Sequence, residues 1–478
     1  MESTVTVRRP QSCFADRVDA PGSPRPRIER FLNAFVTVRP GEAGTALLLA
    51  LNVFLILLAY YVLKTVREAL ILGEGSAELK SYLSAAQVVL LAGLVPFYGR
   101  LVAALSRIRL MNVVTAVFAA CPIVFFVLSQ YGVPLAIVFF IWVGIFSLMI
   151  VAQFWAFAND LYTKEQGERL LVIVGFGASL GAVAGARVAD RLIGPLDIDQ
   201  LMLVGAGVLF ASLAITNLIH KREGPRGPAA VPMMAPAAPP NAFALVMQTR
   251  FLLLMGVMLM LMNLVNTTGE YILGSLVKET AGAMVAEGRS SGLSEEQLIG
   301  DFYSKFFTIV NVAGLLMQLF VVSRLVKYLG VSRSVMILPI IALGAYNVML
   351  IAPTLLLVLG AKVAENSTDY SLNNTVRQML FLPCTYDEKF SGKQVIDAFF
   401  VRIGDVLSAG LVFAGTIVNL APRRFAAINA VLAAVWLIVA WRVGRHYAAR
   451  TAPPVTTTSH PRTGGQRLQP ERSAGLLH

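Results

Sequence analysis

Apolar residues fill this chain in runs of roughly 20, each interrupted by a short polar stretch, and a helix of that length crosses a bilayer core of about 30 Å. The pattern predicts twelve spans, near 44–66, 79–98, 110–130, 133–157, 169–190, 198–219, 244–276, 302–322, 333–350, 353–381, 395–418 and 424–444. An even number of spans puts both chain ends on one side of the membrane. With that side taken as the cytoplasm, its tails, loops and span ends hold 28 Lys and Arg, against 10 on the opposite side. Lys362 and Arg402 are left inside spans. This bias is the positive-inside pattern and orients both termini inward.

Composition agrees. The chain of 478 residues is 56% hydrophobic and only 14% charged, with a mean hydropathy of +0.68; a soluble domain carries about 25% charged residues. An integral multi-pass membrane protein is expected, with the bacterial inner membrane as its site and the lipid bilayer as its surroundings. The net charge of +12 follows from the loop bias and calls for no nucleic acid. The first 40 residues are polar and rich in Arg and Pro, without the apolar core of a signal peptide. Cys13, Cys121 and Cys384 lie far apart and suggest neither a disulfide framework nor a zinc site.

Between spans six and seven runs "EGPRGPAAVPMMAPAAPPN" (223–241), which has little to bury and reads as a flexible linker. The expected organisation is a cytoplasmic tail at 1–43, a first six-helix bundle at 44–222, a linker at 223–243, a second six-helix bundle at 244–446 and a disordered tail at 447–478. An internal repeat supports the division. "RLVAALSRIRLM" from Arg100 matches "RLVKYLGVSRSVM" from Arg324, with Arg109 and Arg333 in register at an offset of 224 residues. The same offset pairs Phe157 with Phe381 and Tyr162 with Tyr386. The fold class is therefore an all-α membrane protein with twelve transmembrane helices in two pseudo-symmetric six-helix bundles, the major-facilitator layout.

Candidate chemistry lies in polar stripes inside the spans. In "TLLLVLGAKVAENSTDYSLNNTVRQMLFLP" (354–383), Lys362, Asn366, Asp369, Asn373 and Arg377 fall on one side of a helix, with Glu365 at the edge. Facing lipid, each charge would cost on the order of 2.5–3.5 kcal/mol. The stripe must face protein or water, either as a closed seam in which Lys362 and Glu365 neutralise each other or as the lining of a hydrated cavity. Span seven repeats Asn263, Asn266, Thr267 and Glu270 along one face, and span one ends with Tyr60, Lys64, Arg67 and Glu68 together. Arg402 and Asp405 stand three residues apart in span eleven, as an ion pair could. Spans one, four, seven and ten, which surround the cavity in a two-halves carrier, hold much of this chemistry. Its basic members point to an anionic solute, since Arg offers a planar fork to phosphate or carboxylate. Tyr60, Tyr61, Phe154, Trp155 and Phe157 offer faces for a base, or simply pack.

Other signals are blander. Gly177, Gly181 and Gly185 in "GFGASLGAVAG" are spaced for close helix packing rather than phosphate binding. "YTKEQGERL" and "YDEKFSGKQVID" read as solvated connectors. No Walker motif, HExxH or nucleophile elbow appears, so neither an enzyme nor a bound cofactor or metal is expected.

Several stretches resemble the ATP/ADP translocase family of intracellular bacteria and plastids. They are "YYVLKTVREALIL" (60–72), "FWAFANDLYTKEQGERL" (154–170), "NLVNTTGEYILGSLVKE" (263–279), "YSLNNTVRQMLFLP" (370–383) and "GKQVIDAFFVRIGDVLSAG" (392–410), in order through most of the membrane region. The resemblance implies a twelve-span carrier that exchanges ATP for ADP or moves nucleotides with protons. On this pattern Arg67 and Arg377 hold positions of family lysines. Val143 and Asn266 replace glutamates typical of nucleotide exchangers, Asn374 and Gln378 replace carboxylates, and Glu270 stands where the family tends to lysine. The expected substrate site is Lys64, Arg67, Asn266, Glu270, Lys362, Asp369, Asn373, Arg377 and Arg402. A nucleotide is the expected partner. A different organic anion is the alternative, and a non-transporting membrane scaffold, with the stripes closed as ion pairs, is a third reading.

Overall fold

The computed structural model describes residues 38–39, 42–104, 106–223, 242–352, 354–385 and 387–451. The expectations for most of the two tails and the linker, and for Tyr386 of the repeat, lie outside the described residues.

Among the described residues the protein is helical, with a single isolated bridge between Ile193 and Leu196. The helices of the first part are α1 (Ala43–Gly73), α2 (Ala77–Ala104), α3 (Arg107–Gln130), α4 (Ala136–Leu161), α5 (Lys164–Leu192) and α6 (Gln200–Glu223). A short helix at Ala242–Gln248 leads into α7 (Arg250–Ala286), followed by α8 (Glu295–Phe320) and α9 (Ile337–Ile351). Helix α10 runs from Leu355–Thr368 through a π-helical stretch at Asp369–Asn373 into Asn374–Leu380. Helix α11 (Val401–Ile417) follows another π-helical stretch at Ile396–Phe400, and α12 spans Pro422–Thr451. Nine of the described helices are long and apolar enough to cross a membrane.

Most helices overrun the apolar windows that announced them, because a helix continues into the interface as long as its ends are satisfied. The connector "YTKEQGERL" is one such end. Thr163 accepts from the Gln166 amide and the Gln166 side chain returns the bond, a capping box that opens α5. Ser294 and Gln297 do the same for α8. At the far end α12 stays helical to Thr451, past the boundary expected at 446.

Packing follows the glycine pattern. Helix α1 lies on α5 and α6, and α7 lies on α11 and α12. Cβ atoms added at Gly177 and Gly185 would stand 2.5 Å from the carbonyl oxygens of Ala50 and Leu58, and one at Gly181 would press equally on that of Phe54. The two backbones are in contact, as the small-residue reading required. Helices from the two parts meet where α5 packs on α8, and where α2 packs on α7 and α11.

Candidate functional site

The last turns of α1 carry Lys64, Arg67 and Glu68 on neighbouring positions of one face. The chain then reverses within Glu74–Ser76, so the first turns of α2 return Lys80, Ser84 and Gln87 to the same level. From the other part come Asn266, Thr267 and Glu270 of α7, Phe307 of α8, and Asn366 and Tyr370 of α10. Together they enclose a cavity of about 200 Å³.

A chain of ion pairs runs through its wall. Glu68 is sealed from solvent and meets Arg67 at 2.5 Å and Lys80 at 2.7 Å. Lys80 lies 3.6 Å from Glu270, whose other oxygen is 3.5 Å from Lys362 and accepts from Asn366 at 3.1 Å. Lys362 is fully buried, 3.0 Å from Glu365 and 2.9 Å from the Asn266 side-chain oxygen. The Tyr346 hydroxyl donates to Glu365 at 3.2 Å. The expected Lys362–Glu365 neutralisation is thus present, but it backs the cavity wall instead of closing the stripe by itself.

Four cations (Lys64, Arg67, Lys80 and Lys362) face three carboxylates. Among the described residues Lys64 makes no ion pair. Its ammonium sits 4.1 Å from the Phe307 ring centre, 5.3 Å from that of Tyr61 and 5.9 Å from that of Tyr60. The buried Arg67 Nε has no hydrogen-bond partner, although the guanidinium lies 4.8 Å over the Phe140 ring. A surplus half-buried cation and an unanswered N–H are costly in an empty site and favourable to an entering anion.

The remaining expected residues stand apart from this cavity. Asp369 accepts from Asn373 at 2.7 Å within the π-helical stretch. Arg377 is paired with Asp397 at the head of α11. Arg402 is 3.3 Å from Asp405, which also accepts from Asn263 at 2.7 Å and Thr267 at 3.2 Å, so this pair is a seam between α7 and α11. Beyond Tyr370, the exposed positions Asn374 and Gln378 continue along α10 toward its end near Leu380. Phe154 and Phe157 are core residues, and Val143 is fully buried within α4. Lys80 and Tyr346 escaped the sequence reading. Lys80, Ser84 and Gln87 at i, i+4 and i+7 did form a legible polar face, whereas nothing around Tyr346 distinguished it from its apolar span.

At the end that carries the Glu74–Ser76 connection, contacts join the two parts. Tyr271 donates to Glu78 at 3.0 Å, Lys278 donates to the Gly75 carbonyl, and Gln297 donates to Asp197 at 3.4 Å. Ile193 and Ile198 close on Gly300 there.

Residues 293–447 match the family model of the TLC ATP/ADP transporter. The chain is 23% identical over 357 residues to ADP,ATP carrier protein 1 of Chlamydia pneumoniae, covering 64% of this chain and 66% of that protein. It is 21% identical over 360 residues to ADP,ATP carrier protein 2 of Chlamydia trachomatis serovar D, covering 64% of each. The matches thus span about two thirds of the relatives' own length. Among solved structures, a POT family transporter in complex with a thioalcohol-conjugated peptide superposes with a TM-score of 0.61 at 13% identity, over 85% of this chain and 96% of that one. At that identity the likeness shows the fold alone. Residues 293–447 thus resemble the TLC ATP/ADP transporter family, and the helical fold is that of the superposed transporter.

Proposed function

We propose that the chain is a secondary transporter that exchanges nucleotides across the membrane by alternating access. Its moving parts are a first six-helix bundle at 44–222 and a second at 244–446, twelve spans in all, with both termini in the cytoplasm. The observation that carries the reading is the surplus of cations around one cavity walled by both parts: Lys64 without an acid partner and Arg67 with an unused N–H. Phosphate oxygens suit both groups, since charge-assisted bonds to Arg are strong and directional. The matched relatives are named ADP,ATP carriers, which supports a nucleotide as the anion. With both termini inside, the contacts at the Glu78–Tyr271 end support a state closed on the outer side.

Proteoliposomes holding the full chain and labelled ATP or ADP test the reading. Saturable exchange is expected. Arg67→Ala and Lys64→Ala should each raise KM roughly 10- to 100-fold, the worth of one charged hydrogen bond. Folded protein that exchanges no nucleotide would remove the nucleotide from the proposal.

A second reading, another organic anion, draws on the near balance of charge and the small cavity. Four cations against three carboxylates leave one net positive charge, which suits a singly or doubly charged solute better than a triphosphate. Inhibition of uptake by non-nucleotide anions, at lower concentration than by ATP, would favour it.

A further inference from the structure

The three carboxylates of the network are not held alike. Glu68 and Glu365 expose only 2% and 3% of their side chains, and their ion pairs measure 2.5–3.0 Å. Glu270 exposes 22%, toward the cavity, and its two lysines lie 3.5 and 3.6 Å away. It is the loosest and wettest acid of the set. It also has a position the other two lack: Lys80 belongs to α2 in the first part, whereas Glu270 and Lys362 belong to α7 and α10 in the second. Removing Glu270 strands neither lysine, because Lys80 keeps Glu68 and Lys362 keeps Glu365.

An anion that enters the cavity meets these same lysines with Glu270 already on them. Two like charges within a few ångströms repel strongly where water is scarce. One must leave, and the geometry singles out Glu270, whose contacts are longest and whose side chain already faces open space. When it leaves, a tie between the two parts opens.

We propose that Glu270 is a resident counter-anion, a stand-in for substrate that ties Lys80 to Lys362 in the empty protein and is displaced by the incoming anion. Substrate binding is thereby coupled to release of the closed end. An empty protein, with Glu270 in place, stays closed there, and this makes transport an exchange in which one anion must enter before another cycle begins. The inference rests on the anion-transport reading above.

Two measurements on the full chain test it. In proteoliposomes with labelled ADP, Glu270→Gln should lower KM about fivefold, since the anion no longer competes with a weak, half-wet ion pair. It should also raise net efflux into substrate-free medium, relative to exchange, by a similar factor. A merely structural Glu270 would lower both fluxes together and leave that ratio alone. Asn366→Ala, which strips Glu270 of a hydrogen bond and leaves every charge, should shift both quantities the same way by less, and it stands in if Glu270→Gln does not fold. The second measurement needs no nucleotide. Inorganic phosphate should raise the melting temperature of purified Glu270→Gln more than that of the wild type, because a ligand preferring the folded state stabilises it more the tighter it binds. Glu270→Asp should restore wild-type behaviour in both assays. An unchanged KM with an unchanged efflux ratio, or equal phosphate shifts in the wild type and Glu270→Gln, overturns the proposal. Absence of ADP exchange in the wild type refutes the nucleotide reading and leaves the phosphate shift to decide on Glu270.

Discussion

The α1–α5 pair and the α7–α11 pair are joined differently. Helix α5 lies on α1 through Gly177, Gly181 and Gly185, whose missing side chains let one backbone rest on the carbonyls of Ala50, Phe54 and Leu58. Along that stretch no side-chain hydrogen bond crosses between the two helices among the described residues. Helix α11 meets α7 at one such point, where a Cβ on Gly404 would stand 2.6 Å from the Met260 carbonyl. The rest of that seam is polar. Asn263 and Thr267 donate to Asp405, Asn263 also reaches the Val401 carbonyl at 2.8 Å, and Thr268 and Ser408 share a hydrogen bond of 3.0 Å. A lipid-embedded helix pair gains nothing from apolar burial alone, so close packing and hydrogen bonding are its two available adhesives. One part uses mainly the first and the other mainly the second. The polar seam also lies on the helix that carries Asn266 and Glu270, so it fixes the side of the cavity that these two residues line.

Breaking the dry seam should cost most. Gly181→Leu drives a branched side chain into a backbone that has no alternative position, and overpacking of this kind costs roughly 1–3 kcal/mol or more. Unfolding in detergent should report a loss at the upper end of that range, often seen as aggregation before any transport is measured. Gly404→Ala should cost less, because it adds a single methyl where Gly181→Leu adds a branched side chain, although that methyl still meets the Met260 carbonyl at 2.6 Å. If both variants melt like the wild type, close backbone contact is not what holds either pair.

The polar seam should fail more gently. Asp405→Ala leaves one Asn263 N–H, the Thr267 hydroxyl and the Arg402 guanidinium without the acceptor they share. Hydrogen bonds between membrane helices average about 0.6 kcal/mol each, and a stranded buried donor adds about 1–3 kcal/mol. A loss of about 2 kcal/mol is expected, against about 0.6 kcal/mol for the neutral interhelical bond lost in Thr268→Val, whose hydroxyl otherwise donates to the Leu264 carbonyl of its own helix. A double variant of Asn263 and Asp405 should lose less than the two singles summed, because they share an interaction. Full additivity would separate Asn263 from the seam.

How much of this was legible in the sequence depended on how local the signal was. The helices followed from apolar runs, the glycine seam from three glycines four residues apart, and the Lys362–Glu365 pair from i,i+3 spacing. The cavity was half legible. Lys64, Arg67, Asn266 and Glu270 stood out as charge or amide within apolar spans. Lys80 did not, because it opens a span and reads as an interfacial charge; only the reversal at Glu74–Ser76 folds it back against Glu68. Arg377 misled for the converse reason. It shares a helix face with Lys362 in an ideal helix, yet the π-helical stretch at Asp369–Asn373 intervenes and its partner is Asp397, twenty residues on. Such stretches are frequent at functional sites but leave no pattern in residue type.

The smallest effect concerns the ends of the two parts, where an acid–arginine clamp recurs. Glu42, just before α1, meets Arg169 of α5 at 3.2 Å and accepts from both of its terminal nitrogens. In the other part Glu388 accepts from Arg450 of α12 at 3.0 and 3.1 Å and from the Thr385 amide at 2.9 Å. Burial pushes the Glu388 carboxyl up, but the Arg450 fork and the Thr385 amide outweigh it and hold the group below the usual glutamate range. A carboxyl that binds its proton less readily when folded stabilises the fold above its unfolded pKa of about 4.3 and loses that contribution as pH falls through its folded value. Stability should therefore be flat from pH 7 to about 5, then fall through this group by no more than about 1 kcal/mol, since Arg450 is partly exposed and salt screens the pair. Glu388→Gln should be less stable than the wild type at pH 7 and should lose less on acidification. If acid weakens Glu388→Gln and the wild type equally, this clamp contributes nothing, and the likeness of the two ends is one of geometry alone.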